Sequence, residues 1–90
     1  MAKTNAARVA RIVAAGEALY GKRWQSAMAE SIGISKQLLN FIVAGDRQVT
    51  DKVEDQVVEA LSREIQRLGK TATKMKEIQG RILAARETGR

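Results

Sequence analysis

The feature that most constrains this chain is the spacing of its apolar residues, which recur every three or four positions in series that end at glycines. That spacing places apolar side chains along one face of an α-helix, whereas a half-buried strand would need alternation. The clearest series is Trp24, Ala27, Met28 and Ile32, followed at once by Gly33. Because glycine readily adopts the left-handed conformation that ends a helix, the pattern predicts short helices divided at glycines.

The same pattern along the whole chain predicts four or five helices, at about residues 4–19, 23–32, 36–44, 51–69 and 73–87. Thr4 or Asn5 is expected to cap the first helix and Ser35 the third, because a short side-chain oxygen can accept a hydrogen bond from a free backbone amide. Asp51, with Glu54 three residues later, resembles a capping box at the start of the fourth helix.

Composition favours an all-α fold in one domain. The 90 residues include no proline and only 3% aromatic residues, and helix-forming residue types dominate. A chain of this length holds a single core. We therefore expect a compact bundle of four to five helices with Trp24 and Met28 in its core. Residues 1–69 would form the main domain, and residues 70–90 a C-terminal helix or tail.

The residue types that are missing argue against catalysis. With no cysteine and no histidine, the chain lacks thiolate nucleophiles, the commonest general base and the commonest transition-metal ligand. The acids Glu54, Asp55, Glu59 and Glu64 alternate with basic residues, which indicates a solvated helix face. We expect no enzymatic activity, cofactor, metal or small-molecule substrate. No apolar stretch approaches the ~20 residues of a membrane helix, so a cytoplasmic protein without membrane attachment is predicted.

The charge balance points instead to a polyanionic partner. The net charge is +6, and residues 1–49 carry seven basic and three acidic side chains. Such a balance is typical of nucleic-acid binding and, less often, of binding to an acidic membrane surface. No acidic residue lies between Glu30 and Asp46, so the segment between them is the best candidate for a DNA-facing surface.

Two short helices joined by a tight corner at Gly33 are predicted here: the first ends within that segment and the second lies entirely inside it. Ala29 is small where the helices would cross, Ile34 would fill the gap between them, and Leu39 and Ile42 would anchor the second helix from beneath. Gly33 is expected to take a positive φ in the turn. The spacing predicts a helix-turn-helix, in which the far side of the second helix is free to enter a DNA major groove.

Helical projection identifies that far side. At about 100° per residue, Gln37, Asn40 and Ala44 lie opposite the apolar cluster, and Lys36 and Phe41 flank them. Glutamine and asparagine can form paired hydrogen bonds with adenine, lysine can reach guanine or phosphate, and alanine or phenylalanine can contact a thymine methyl group. A solvated face is the alternative interpretation, but it would more usually carry Glu–Lys pairs. These five residues are the predicted base contacts.

The segment resembles the helix-turn-helix of the Cro and lambda-repressor superfamily. The resemblance rests on Gln25, Ala29, Gly33, Ser35, Leu39, Ile42, Gly45 and Arg47. It covers about residues 8–68, and residues 19–25 are also similar to small phage and mobile-element regulators of that superfamily. The sequence departs from the pattern at Phe41, where relatives often carry a polar or basic residue.

The resemblance implies roles for further polar residues. Gln25, at the start of the first helix of the pair, would contact phosphate and brace the second. Arg47, in the loop that follows, would also contact phosphate, as would Lys22 and Arg23 on the other flank. Ser35 would face the groove together with the residues identified by projection.

A transcriptional regulator, expected to be a dimeric repressor of a palindromic operator in double-stranded DNA, is the function that the resemblance implies. One recognition helix contacts few base pairs, so such modules usually bind as symmetric dimers. Candidate dimer contacts are Val58 and Leu61 on the fourth helix, or Met75, Ile78 and Ile82 on the fifth.

Two other binding functions stay open. The chain could be an antitoxin-type DNA-binding module whose C-terminal region binds a protein partner. It could also be a general architectural or RNA-binding protein, whose binding would survive scrambling of the target sequence. The basic residues between 70 and 90 would contact phosphate in some of these cases and be a solvated end in others.

Overall fold

The computed structural model describes residues 2–87, with side chains from residue 5 onward, and in this range it contains four α-helices and no strand. The helices are α1 (Ala2–Tyr20), α2 (Trp24–Ile32), α3 (Lys36–Ala44) and α4 (Asp51–Glu87). The all-α prediction is confirmed for these residues, and the helix boundaries of α2 and α3 lie within one residue of those predicted.

One apolar core holds together α1, α2, α3 and the first part of α4, and we call this region (residues 5–61) the body. Trp24 and Met28 are buried in the core as predicted, at 3% and 0% exposure. The other buried apolar side chains are Ile12, Ala29, Ile32, Leu39, Ile42, Val49, Val53, Val57 and Ala60. Among the described residues no polar or charged side chain is buried, so the hydrophobic effect dominates the stability of the body.

A close approach between α1 and Trp24 fixes how the first two helices pack. Gly16 is buried in α1, and a Cβ built on it would overlap Cε3 of Trp24. Real Cβ atoms essentially never come so near another heavy atom, so only glycine lets the α1 backbone lie directly against the indole ring.

The start of α1 differs from the prediction. Thr4 and Asn5 lie inside the helix, so neither is its cap. Asn5 instead reaches across the body, where its Oδ1 accepts a hydrogen bond from the backbone N–H of Val49 at 3.0 Å. The predicted cap was wrong because local sequence does not reveal a partner 44 residues away.

The start of α4 is also capped differently. Thr50 is the residue whose Oγ1 accepts from the backbone N–H of Val53, at 3.1 Å. Asp51 and Glu54 therefore do not form the predicted capping box, and both carboxylates pair instead with Arg8 of α1. Their negative charge still lies in the first turn of α4, where the helix dipole favours it.

The prediction of a helix end at Gly69 and a separate fifth helix was wrong, because α4 continues without interruption to Glu87 over 37 residues. A glycine inside a helix costs only about 1 kcal/mol relative to alanine, and the neighbouring residues are good helix formers. Gly69 and Gly80 have helical neighbours on both sides. The Thr73 hydroxyl also donates to the Gly69 carbonyl at 3.1 Å.

The second half of α4 projects away from the core, and we call residues 62–87 the tail helix. All of its side chains are exposed except those of Glu64 and Thr71, which are half-buried. The described residues consequently extend over 64 × 23 × 18 Å, so the compact bundle that was predicted is limited to the body. No described helix combines the length and the apolar character needed to cross a membrane.

Candidate nucleic-acid interface

The corner between α2 and α3 is set by a left-handed glycine. Gly33 has φ +78°, which L-residues rarely adopt. The Ile34 N–H donates to the Ala29 carbonyl at 3.0 Å, and the Gly33 N–H donates to the Glu30 carbonyl at 3.3 Å. This is the Schellman arrangement, which satisfies the last carbonyls of α2 and turns the chain sharply. The expected positive φ of Gly33 is confirmed.

α3 is fixed to the body along one side. The Ser35 Oγ accepts from the backbone N–H of Leu38 at 3.0 Å, which caps α3 as predicted. Leu39 and Ile42 are 0% and 2% exposed and belong to the core, and Leu38 packs against it. Gly45, at φ +88°, ends the helix. The nine-residue helix therefore has a defined orientation on the body.

The opposite side of α3 faces solvent. Lys36, Gln37, Asn40 and Ala44 are exposed, as is Phe41 at 40%. Within the described part of the chain, the polar ends of Lys36, Gln37 and Asn40 make no hydrogen bond or ion pair with other residues. The face consists of two amides, one cation and two apolar groups, and its polar groups can accept a partner without first breaking an internal contact.

Ser35 was predicted both to cap α3 and to face the groove. Its oxygen accepts the capping hydrogen bond from Leu38, which leaves the hydroxyl hydrogen able to donate to an outside acceptor. Ser35 is exposed, so a phosphate or a base edge could reach that hydrogen. Removing the hydroxyl would affect both the start of α3 and any such contact.

The start of α2 forms one flank of the exposed face. Arg23 precedes the helix with φ −102° and ψ 56°, and no side chain caps the first backbone amides of α2. Lys22 and Arg23 are exposed, and Gln25 is half-buried in the first turn. Free amides at a helix N-terminus beside two cations are chemically suited to a phosphate group.

The loop after α3 forms the other flank, and two residues of α1 hold it in place. Arg47 is exposed in this loop, two residues before the buried Val49. Asn5 accepts from the Val49 N–H, and the Arg8 Nη1 donates to the Val49 carbonyl at 2.8 Å. Asn5 and Arg8 thereby position the loop that carries Arg47, a role that sequence reasoning missed.

Ion pairs tie α1 to α4 near this loop. Arg8 pairs with Asp51 and, at 3.1 Å, with Glu54, and Arg11 lies 3.6 Å from the other oxygen of Glu54. The hydrogen bond that Arg8 donates to Asp51 raises the pKa of the Arg8 guanidinium above its ordinary value. Acids therefore offset the positive charges of Arg8 and Arg11, whereas Lys22, Arg23, Lys36 and Arg47 have no ion-pair partner among the described residues.

The predicted dimer contacts all lie on α4, but they differ in how far they are exposed. Leu61 is half-buried and packs against the core. Val58, Met75, Ile78 and Ile82 are exposed at 58%, 63%, 44% and 55%. Four large apolar side chains exposed on one helix are therefore available for contact with another molecule.

Comparison of this chain with known protein families, with curated proteins and with solved structures finds no match.

Proposed function

We propose that this protein is a sequence-specific regulator of transcription that binds double-stranded DNA and reads the major groove with α3. The observation that carries this proposal is the two-sided character of α3. Leu39 and Ile42 fix one side to the core, while Gln37 and Asn40 project into solvent on the other. The major groove of DNA is wide enough to admit an α-helix. A helix that is fixed to the core and exposes free side-chain amides can hydrogen-bond with base edges there.

Base recognition is assigned to the exposed face of α3. The amides of Gln37 and Asn40 have the paired donor and acceptor that match the major-groove edge of adenine. Lys36 would reach guanine or a phosphate, and Phe41 and Ala44 would contact thymine methyl groups. The absence of acidic residues between Glu30 and Asp46 keeps repulsion from the phosphates low along this face.

Phosphate contacts are assigned to the two flanks of α3. Lys22, Arg23 and the amides at the start of α2, beside Gln25, would bind one DNA strand, and Arg47 would bind the other side of the groove. These contacts fix the position of α3 on the duplex but carry no sequence information by themselves.

The proposed regulator is a homodimer that represses at a palindromic operator. Two copies related by a two-fold axis would place their α3 helices about one turn of DNA, ~34 Å, apart. The residues proposed to join the copies are Val58, Leu61, Met75, Ile78 and Ile82.

Selection from a random pool of DNA duplexes tests the proposal. The protein is mixed with the pool, bound duplexes are amplified and rebound, and the enriched sequences are aligned. We expect one shared site with inverted half-sites whose centres are about 10 base pairs apart. Enrichment without a shared site would refute sequence-specific recognition, and preferential capture of RNA in a parallel pool would favour the architectural or RNA-binding alternative.

An antitoxin-type module is the second candidate, because the exposed apolar side chains of the tail helix would suit a protein partner. In that case the chain would bind a shared DNA site but stay monomeric when purified alone. A second, different chain would then be needed for tight binding to the operator.

A further inference from the structure

Apolar residues of α4 follow a seven-residue repeat that begins in the last turn of the body, at Val58 and Leu61, and continues along the tail helix. At one position of the repeat stand Leu61, Leu68, Met75 and Ile82, and three residues before each of these stand Val58, Ile65, Ala72 and Gln79. In heptad notation these are the d and a positions. They form one stripe, which we call the seam, over four heptads.

A repeat of seven residues has a different meaning from ordinary amphipathicity. An α-helix has 3.6 residues per turn, so a stripe that repeats every 3.5 residues drifts by about 20° per heptad around a straight helix. It stays in contact only with another helix that supercoils with it. The regularity of the d positions therefore points to a helical partner rather than to an irregular protein surface.

The exposed apolar area of the seam, together with that of Ile78 and Leu83 beside it, is close to the area of a stable interface between two such helices. Seven large apolar side chains on α4 are between 44% and 66% exposed, and they are Val58, Ile65, Leu68, Met75, Ile78, Ile82 and Leu83. Together they expose on the order of 700 Å² per chain, close to the roughly 800 Å² per partner that a standard stable interface buries.

Most charges of the tail helix lie away from the four heptads of the seam, and Arg86 stands at the next a position, just beyond them. Arg67, Lys70, Lys74 and Arg81 occupy the outward c and f positions, and Lys76 is the one cation beside the seam between residues 62 and 85. Two copies of this strongly basic helix can therefore approach with few like charges in contact. We propose that the tail helices of two copies of this chain form a parallel, in-register coiled coil.

The parallel orientation follows from the residues beside the seam. In a parallel pair, Ile78 at position g meets Leu83 at position e of the other copy, so two apolar side chains extend the seam. An antiparallel pair that matches every a and d layer would place Ile78 against Glu64 and Leu83 against Asp55. Only the parallel pair keeps these apolar side chains away from carboxylates.

The polar residue in the seam supports the same orientation. Gln79 occupies an a position. In a parallel pair it lies opposite Gln79 of the other copy, and the two amides can hydrogen-bond, as polar a residues do when they specify register. In the antiparallel pair it would face the apolar Leu61 and lose that partner.

This geometry deepens the proposed function, because it places both bodies, and hence both α3 helices, at the same end of the coiled coil. The coiled coil itself is inferred from α4 alone. It can therefore be tested without DNA, so that a failure of the coiled coil and a failure of DNA recognition are distinguishable.

Disulfide formation by single cysteine variants tests the orientation, since the natural chain has no cysteine. Gln79→Cys is compared with Arg81→Cys, which puts the thiol on the outward face of the same turn. Under mild oxidation at micromolar concentration, we expect Gln79→Cys to become a linked dimer almost completely and Arg81→Cys to stay unlinked. In the antiparallel pair the two residues at position 79 would lie about 27 Å apart, too far to join.

Two other outcomes would count against the parallel coiled coil. If Gln79→Cys links no faster than Arg81→Cys, the parallel coiled coil is overturned. Linkage of Val58→Cys chains to Ile82→Cys chains in a mixture would then show the antiparallel arrangement.

Sedimentation provides a second readout. The natural chain should sediment as a dimer at micromolar concentration. Met75→Lys, which puts a charge into the seam, should raise the dissociation constant by roughly 100-fold or more, because burying an unpaired ammonium group is strongly unfavourable. Thr73→Lys adds the same charge at an outward position and should leave the dimer intact. A natural chain that is monomeric throughout, or equal effects of the two lysines, would contradict the proposal.

Discussion

At the scale of single residues, the contact between Gly16 and Trp24 illustrates how one missing side chain defines the packing of two helices. Helix propensity alone would favour alanine at position 16 by about 1 kcal/mol. The indole ring occupies the space that the alanine methyl group would need. The packing requirement therefore overrides the local preference of the backbone.

Gly16→Ala is expected to lower the free energy of unfolding by about 1–3 kcal/mol, because Trp24 must shift within a close-packed core. The fluorescence of Trp24, the single tryptophan, reports urea-induced unfolding of the body. Gly80→Ala is the matched control, since it changes a helical glycine with open space around it and should not destabilise the body. If Gly16→Ala were as stable as the natural chain, or more stable, the packing of Trp24 would not require glycine at position 16.

Residue roles differ in how far the sequence predicts them. The Ser35 cap and the buried positions of Trp24 and Met28 follow from neighbours within four residues, and these predictions were confirmed. The hydrogen bonds of Asn5 and Arg8 with Val49 join residues more than 40 positions apart. No local sequence pattern encodes such contacts. The sequence therefore predicted that Arg47 lies in a loop, but not that hydrogen bonds from α1 hold this loop in place.

At the scale of helices, the same residue type ends one helix and continues another. Gly33 lies at φ +78° and is followed two residues later by the cap Ser35. Gly69 lies inside α4, and the apolar series on either side of it, from Leu68 to Met75, stays in the same heptad phase. Unbroken heptad phase across Gly69 was the available signal that α4 continues, and the predicted helix end at Gly69 did not take it into account.

Substitution by alanine is predicted to have opposite effects on stability at Gly33 and at Gly69. Gly33→Ala should destabilise the body by about 1–2 kcal/mol, because an L-residue is strained at that φ. Gly69→Ala should raise the helicity of the tail helix, with a gain of up to about 1 kcal/mol, because alanine is the better helix former. Circular dichroism measured during thermal unfolding would show both changes. A melting temperature lowered by Gly69→Ala would indicate that the chain needs flexibility at that point.

At the scale of the whole molecule, the chain divides into a body that presents α3 and a tail helix that presents an apolar seam. The body is held by its own core, whereas the tail helix has almost no buried side chain. The proposed function uses both parts: the body contacts DNA, and the tail helix joins two copies. Local sequence patterns predicted the body well, but the extended shape depends on the length of α4, which was underestimated.

The central claim is that Gln37 and Asn40 read bases, and DNA binding by their alanine variants tests it most directly. Affinities would be measured for the selected site and for a scrambled duplex at one salt concentration, with Gln66→Ala, an exposed glutamine of the tail helix, as the control. We predict that Gln37→Ala and Asn40→Ala each weaken binding to the selected site by about 1–3 kcal/mol and leave binding to the scrambled duplex unchanged. Equal losses on both duplexes, or no loss on either, would contradict the assignment of α3 as the recognition helix.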